Sequence, residues 1–187
     1  MAYDPLIHHR RSIRLKGYDY TKPGAYFITI NAFHRSRIFG VIESGMVRLN
    51  ACGEIARAEW LKTAEIRREI ALDEFVIMPD HMHGIIIIME SDNNNDNDND
   101  SVEARLRRAS TIEQFSKPVA GSIPTIIRAY KSAVTYQINH MRGTPGAPVW
   151  QGNYWERIIR NESALSRIRE YIRRNLMRWM DKQDHSL

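Results

Sequence analysis

Apolar residues along this chain fall into two rhythms. Alternating or unbroken runs of β-branched and aromatic residues mark strands. "AYFITINA" at 25–32 alternates and predicts a first strand, and "FGVIESGMVRL" at 39–49 predicts a short hairpin turning at Ser44 and Gly45. "FVIMPDHMHGIIIIME" at 75–90 predicts a buried strand pair, with Phe75 to Met78 before a break and Ile85 to Met89 after it, and "VWQGNYWERIIR" predicts a last strand. The second rhythm returns every three to four residues and marks helices. Asn50 caps a helix through about Arg68 that carries Cys52, Ile55, Ala56 and Trp60 on one side. Ser122 caps another, from Ile123 to about Arg142, with Pro124 in its first turn and Ile126, Ile127, Tyr130, Val134 and Met141 as its apolar stripe. Asn161 opens a final helix to about Met180, its stripe being Leu165, Ile168, Ile172, Leu176 and Trp179. The order strand, hairpin, helix, strand pair, helix, strand, helix predicts an α+β fold. It is that of a ferredoxin-like, RRM-like sandwich, with a central, mainly antiparallel sheet and helices packed on it.

Composition narrows the class of protein. With 187 residues and 43% apolar content, the chain fits one domain with a sizeable core. The longest apolar stretch, Ile85 to Met89, is far too short to span a bilayer, and "MAYDPLIHHRRSIRLKGYDY" lacks the apolar core of a signal peptide, so a cytoplasmic location with no membrane partner is expected. Cys52 is the single cysteine, which excludes an intrachain disulfide and any multi-cysteine zinc or iron–sulfur site. The run "SDNNNDNDND" at 91–100 cannot bury apolar surface and is expected to be a disordered insertion. Its four aspartates hide part of the charge: the chain carries +5, and +9 without them. A body this basic favours a polyanion, nucleic acid first, over a surface that is merely solvated. Arg10, Arg11, Arg14, Lys16 and Lys22 lie in a basic arm over residues 1–24, and Arg128, Lys131, Thr135 and Arg142 make the second helix face basic.

Two pairs of residues carry candidate chemistry. Residues two apart on a strand point the same way, so His81 and His83 share a face with Cα atoms about 7 Å apart, while Met82 points into packing. Two imidazoles so placed can converge on one cation, which makes half a metal site; two hydrogen-bonded polar residues at a strand entrance are the other reading. Asp80, after a proline, reads first as a turn residue and second as a group that orients a histidine. On the last helix Tyr171 and Asn175 stand one turn apart on a flank of the apolar stripe. Such a position holds a side chain rigidly with its tip within reach of a substrate, although a tyrosine at a core edge with its hydroxyl in water is ordinary. Tyr154, between Asn153 and Trp155, reads as core packing or as a stacking surface.

"HMH" after a strand, followed about ninety residues later by a helical tyrosine with an asparagine four residues on, resembles the HUH single-tyrosine transposases, where U is a large apolar residue. "VWQGNYWERIIRNESALSRIREYIRRNL" and "RRSIRLKGYDYTKPGAYFITI" are similar to the REP-associated tyrosine transposases, and the resemblance covers nearly the whole chain apart from the Asn/Asp insertion. It implies one HUH domain over 1–187, with His81 and His83 as metal ligands, Asn175 as the third in place of a glutamine in related enzymes, and Tyr171 as the nucleophile. It also implies Mg²⁺ or Mn²⁺ as cofactor and single-stranded DNA with imperfect palindromic hairpins as partner. The implied reaction is cleavage and rejoining beside REP-type hairpins through a 5′-phosphotyrosine, in a nucleoid-associated monomer or in a homodimer that exchanges the tyrosine helix. Arg10, Arg11, Arg14, Lys16, Arg128, Lys131, Arg160 and Arg174 are then the expected phosphate contacts, with Gly17, Tyr18 and Tyr20 for close backbone approach and base stacking. Two positions depart from the group: Arg157 stands where it usually has histidine, and Leu176 where proline follows the asparagine. A lapsed transposase that binds structured nucleic acid without cutting, and a phosphodiesterase that uses water, are the competing readings.

Overall fold

The computed structural model describes residues 15, 17–90 and 119–177. Arg10, Arg11, Arg14, Lys16, the Asn/Asp run at 91–100 and Trp179 lie outside them. The elements are β1 (Gly24–Asn31), β2 (Gly40–Glu43), β3 (Met46–Leu49), α1 (Ala51–Glu65), β4 (Ile70–Met78), β5 (His81–Ile88), α2 (Ile123–Arg142), β6 (Trp155–Ile159) and α3 (Glu162–Arg173). Only Pro79 and Asp80 separate β4 from β5, so the two must lie side by side and antiparallel. β1 then pairs with β5 on one side and β6 on the other, giving an all-antiparallel sheet of order β4-β5-β1-β6. The expected α+β sandwich is present.

Period-two alternation decides what each face buries. Tyr26, Ile28 and Ile30 of β1 enter a core with Ile86 and Met82 of β5, and with Ala56, Trp60, Ile126, Ile127, Tyr130 and Val134 of the two helices that cover this face. Ala25 and Phe27 point the other way, where Ile85, Ile159, Ile168 and Ile172 form a second, smaller core beneath α3. The caps form as the sequence predicts. Asn50 accepts from the Cys52 and Gly53 amides, Ser122 from Thr125 and Asn161 from Ala164. Ser44 (φ 50°) and Gly45 (φ 71°) make the hairpin turn of β2 and β3, since left-handed residues match the strand twist there.

Four details differ from the sequence pattern. Met141 is 47% exposed, and Ile138 completes the α2 stripe instead. Tyr20 is buried, because its ring packs against Tyr18 and Tyr26 and its hydroxyl accepts from the Leu15 amide, so it is not a stacking surface for a base. The last strand shrinks to β6, preceded by a single bridge between Ala32 and Trp150. α3 is broken at Arg174, whose amide bonds to the Glu170 and Ile172 carbonyls; residues 175–177 are helical again with Asn175 buried, and the rest of the helix expected to about Met180 lies outside the described residues. Among the described residues no helix is long and apolar enough to cross a membrane.

One contact locks the first face. Trp60, fully buried, lies over β5 where Gly84 leaves room for it, and a Cβ there would stand 2.4 Å from the indole Cζ2. Gly84→Ala is therefore expected to cost about 1–3 kcal/mol by overpacking, read as a lower urea midpoint, and Trp60→Phe in the same chain should return part of the loss. An unchanged midpoint in Gly84→Ala would contradict this packing.

Candidate active site

β5 begins with the two histidines, and its alternation puts both on the α3 side of the sheet while Met82 fills the opposite core. Their rings lie 4.7 Å apart at a 74° angle, and the residues are 6% and 5% exposed. Imidazoles withdrawn from water this far need partners for their nitrogens. His81 Nδ1 is 2.5 Å from Asp80 Oδ1, and His83 Nδ1 is 2.7 Å from Thr29 Oγ1. The register of β1 against β5 explains the second pair: Thr29 lies opposite His83 and Asn31 opposite His81, and opposed residues share a face. Asp80 is in turn held by Arg35, whose Nε is 3.3 Å from Oδ2 and whose Nη1 donates to Asn31 Oδ1 at 2.5 Å. Two successive left-handed residues, His34 (φ 52°) and Arg35 (φ 56°), tighten the turn after β1 and bring the arginine back over Asp80. That conformation costs about 1–2 kcal/mol per residue.

Tyr171 comes from α3. Its hydroxyl is 3.3 Å from His83 Nε2, and its ring stands edge-on to His83 and to Phe27, which itself stacks on His83 at 5.3 Å. A bulge in β4 between Leu72 and Phe75 fixes this helix. Asp73, at the bulge, accepts from Arg169 Nε and Nη2 at 3.0 and 2.7 Å, and Glu74 from Arg173 Nε and Nη2 at 3.0 and 2.6 Å. The two clasped arginines flank Tyr171 by two residues on either side. Asn175, one turn further on, is 5% exposed.

The electrostatics follow from burial. Loss of water, reinforced by the charges of His81 and Arg35 and only partly opposed by Asp80, pushes the His83 pKa down to about 3, so the ring is neutral near pH 7. Burial alone would raise Asp80, but the His81 hydrogen bond and the charges of His81 and Arg35 hold it below the ordinary carboxylate range. Asp73 behaves likewise: burial opposes ionisation, and the hydrogen bonds from the Arg169 guanidinium and the Glu74 amide outweigh it.

Whether this donor set suits a divalent cation is a matter of which lone pairs are left. In a neutral ring, a proton on Nδ1 leaves the Nε2 lone pair for the site, the arrangement in which histidines ligate metals; at His83 that lone pair meets the Tyr171 hydroxyl, which a cation there would displace. Among the described residues no three His, Cys, Asp or Glu side chains come together. The donors this site brings together are therefore the two imidazoles; Asn175, the third ligand that the resemblance implies, is buried. Two imidazoles and an amide are uncharged, so a cation held by them keeps its full charge for a phosphate. The residues fit.

The remaining sequence candidates scatter. Gly17 (φ 77°) makes a turn, and Tyr18 is half-buried, its ring edge-on to Tyr20 and its hydroxyl 3.3 Å from that of Tyr26. Arg128 and Arg160 are exposed, and Arg174 pairs with Glu170. Lys131 departs from the solvated basic face expected of it. Burial pulls its pKa down to about 8, and its ammonium donates to the Gln151 and Gly152 carbonyls at 2.7 and 2.9 Å. Tyr154 packs in the first core. Asp80 is both the turn residue and the partner of His81. Thr29 and Arg35 escaped the sequence reading, and only the alternation of β1, which puts Thr29 on the Phe27 face, hinted at the former.

Comparison with known proteins bears on this geometry. No family model matches the chain. An uncharacterized protein of Haemophilus influenzae is 38% identical over 181 residues, 97% of this chain and 96% of that one. A REP-associated tyrosine transposase, solved bound to a REP hairpin, superposes with a TM-score of 0.53 at 21% identity, over 89% of this chain and 74% of that one.

The neutrality of buried His83 has a measurable consequence. The unfolded chain takes up a proton near pH 6.5 that the folded chain refuses until about pH 3, so stability is lost as pH falls through this window. Between pH 7 and 5, urea unfolding in chelator should lose roughly 2 kcal/mol to this group, and His83→Gln should flatten the slope by a similar amount. Asp80 and Asp73 act below this window, since their lowered pKa values matter only under the ordinary carboxylate range. A wild-type slope equal to that of His83→Gln would contradict a buried neutral ring.

Proposed function

This chain belongs to one family with the Haemophilus influenzae protein and has the fold of a REP-associated tyrosine transposase; from that premise we propose that it cleaves and rejoins single-stranded DNA beside small REP-type hairpins through a 5′-phosphotyrosine. The observation that carries the reading is the Tyr171 hydroxyl at 3.3 Å from the Nε2 of a buried, paired histidine. His81, His83 and Asn175 would hold Mg²⁺ or Mn²⁺. When bound, such a cation supplies Lewis-acid polarisation of the scissile phosphate and offsets charge developing on its oxygens.

The side chains do the rest. Ionised Asp80, an acceptor, holds His81 with its proton on Nδ1, and Thr29 orients the His83 ring. The clasp of Arg169 and Arg173 fixes the helix that carries Tyr171, and Phe27 braces the phenol ring against rotation away from His83. The phenolic oxygen attacks phosphorus: the O–P bond to Tyr171 forms, the P–O3′ bond breaks, and the departing 3′-oxygen takes up a proton as the phenol loses one. The ester energy stays in the phosphotyrosine, so a free 3′-hydroxyl can reverse the step and join a new strand. Water as nucleophile would discard that energy, and a tyrosine set against His83 favours the covalent route over a simple phosphodiesterase. Exposed Arg128, Arg160 and Arg174 serve as phosphate contacts in this reading.

The test is a denaturing gel of the full chain incubated with a hairpin oligonucleotide carrying single-stranded flanks and Mn²⁺. Wild type should shift the labelled downstream fragment as a protein–DNA adduct and leave an extendable 3′-hydroxyl upstream. Tyr171→Phe should abolish the adduct while binding the hairpin within about twofold. His81→Ala or His83→Ala should cut the adduct about 10–100-fold at limiting Mn²⁺. An adduct that persists in Tyr171→Phe would sink the assignment of the nucleophile.

A further inference from the structure

The sheet face that carries the imidazoles extends past them to β6, the edge strand among the described residues. The register of β5, β1 and β6 lines up His83, Thr29 and Trp155 on one rung, and Ile85, Phe27 and Arg157 on the next. Opposed residues in antiparallel strands project to the same side, so Trp155 stands on the His83 face, two strand spacings or roughly 10 Å away across Thr29. The alternation of β6 agrees: Ile159, opposite Ala25, is buried under α3, while Ile158, next to it, packs into the other core. Where α3 no longer covers the face, the exposed positions hold an indole and a guanidinium. Trp155 is 62% exposed, Arg157 is exposed, and β6 is the edge strand. Single apolar residues on a surface are common. This one shares a rung with the histidine that meets Tyr171, and the residue after next on its strand is a cation.

We propose that Trp155 is a stacking platform for an unpaired base flanking the scissile phosphate, with Arg157 neutralising the next phosphate along the strand. The proposal rests on the reading of the site as one that cuts single-stranded DNA, and it adds where the flank lies: across β1 and β6, away from β4. An unpaired base has an exposed π-face that an indole covers whatever the sequence, and a guanidinium beside it meets the backbone charge. A stem has no such face to offer, since its bases are stacked on one another. Trp155 therefore distinguishes a hairpin with flanks from a bare stem-loop.

The experiment is fluorescence anisotropy of the full chain in chelator, where nothing is cut, with two probes: a labelled hairpin bearing single-stranded extensions on both sides, and the same stem-loop with blunt ends. Trp155→Ala should weaken the flanked probe about tenfold and leave the blunt probe within about twofold, while Trp155→Phe keeps most of the affinity. Because the side chain is largely in water, the urea midpoint of both variants should match wild type. Equal affinity of Trp155→Ala and wild type for the flanked probe, or an equal loss on both probes, would overturn the stacking platform. Failure of wild type to bind either probe would overturn the DNA reading itself, and the platform with it.

Discussion

Two imidazoles held out of water on one strand are the constraint around which the rest of this molecule is arranged. A buried ring nitrogen without a partner is costly, on the order of 1–3 kcal/mol, and here each Nδ1 has one: Asp80 for His81 and Thr29 for His83. Each partner implies another piece of structure. Thr29 reaches His83 because β1 is the strand inserted between β5 and β6, in a register that sets the two opposite one another. Asp80 stays ionised through the His81 hydrogen bond and the charges of His81 and Arg35, and Arg35 comes back over it from a turn of two left-handed residues. Burial also sets the chemistry at His83: a ring kept neutral has a lone pair to give, whereas a protonated imidazole repels a cation.

The site draws on elements of different character. The histidines, Thr29 and Asn31 belong to the two central strands, where backbone pairing on both sides leaves little freedom. The tyrosine belongs to a helix that buries few residues, among them Ile168 and Ile172, and is fixed by forked arginine pairs to a bulge in β4. The Arg169 pair, which engages both Asp73 oxygens, adds orientation as well as energy. Under the proposed function, a rigid strand pair facing a helix held by a small apolar core and two ion pairs would suit a reaction in which a nucleophile must be aimed and, after strand exchange, released. The β6 edge, with Trp155 and Arg157, completes the face.

Much of this was legible along the chain because local rules governed it. The period-two alternation of β1 and β5 puts the histidines on one face and Met82 on the other, and Asn50, Ser122 and Asn161 cap helices where the pattern places them. What was not legible depends on contacts between distant segments. Nothing near His83 announces Thr29, which lies 54 residues away and meets it only through strand register. Arg35 falls in a stretch that looks like an ordinary turn. Lys131 counted as a solvated cation until the 151–152 carbonyls closed over its ammonium, and Tyr20 as a surface ring until Tyr18 and Tyr26 enclosed it. Charge and aromaticity are visible in a sequence, but whether a side chain spends them internally is decided by what folds on top of it.

The central claim is that His81 and His83 present their Nε2 lone pairs to a common cation beside Tyr171. Crystals of the full chain soaked in Mn²⁺ and measured at the manganese absorption edge would test it most directly. The account predicts one strong anomalous peak bonded to the Nε2 atoms of both histidines, with the phenolic oxygen of Tyr171 facing it, and its loss in His83→Ala crystals. A manganese peak elsewhere, or none at saturating metal with both histidines still hydrogen-bonded as described, would contradict the account.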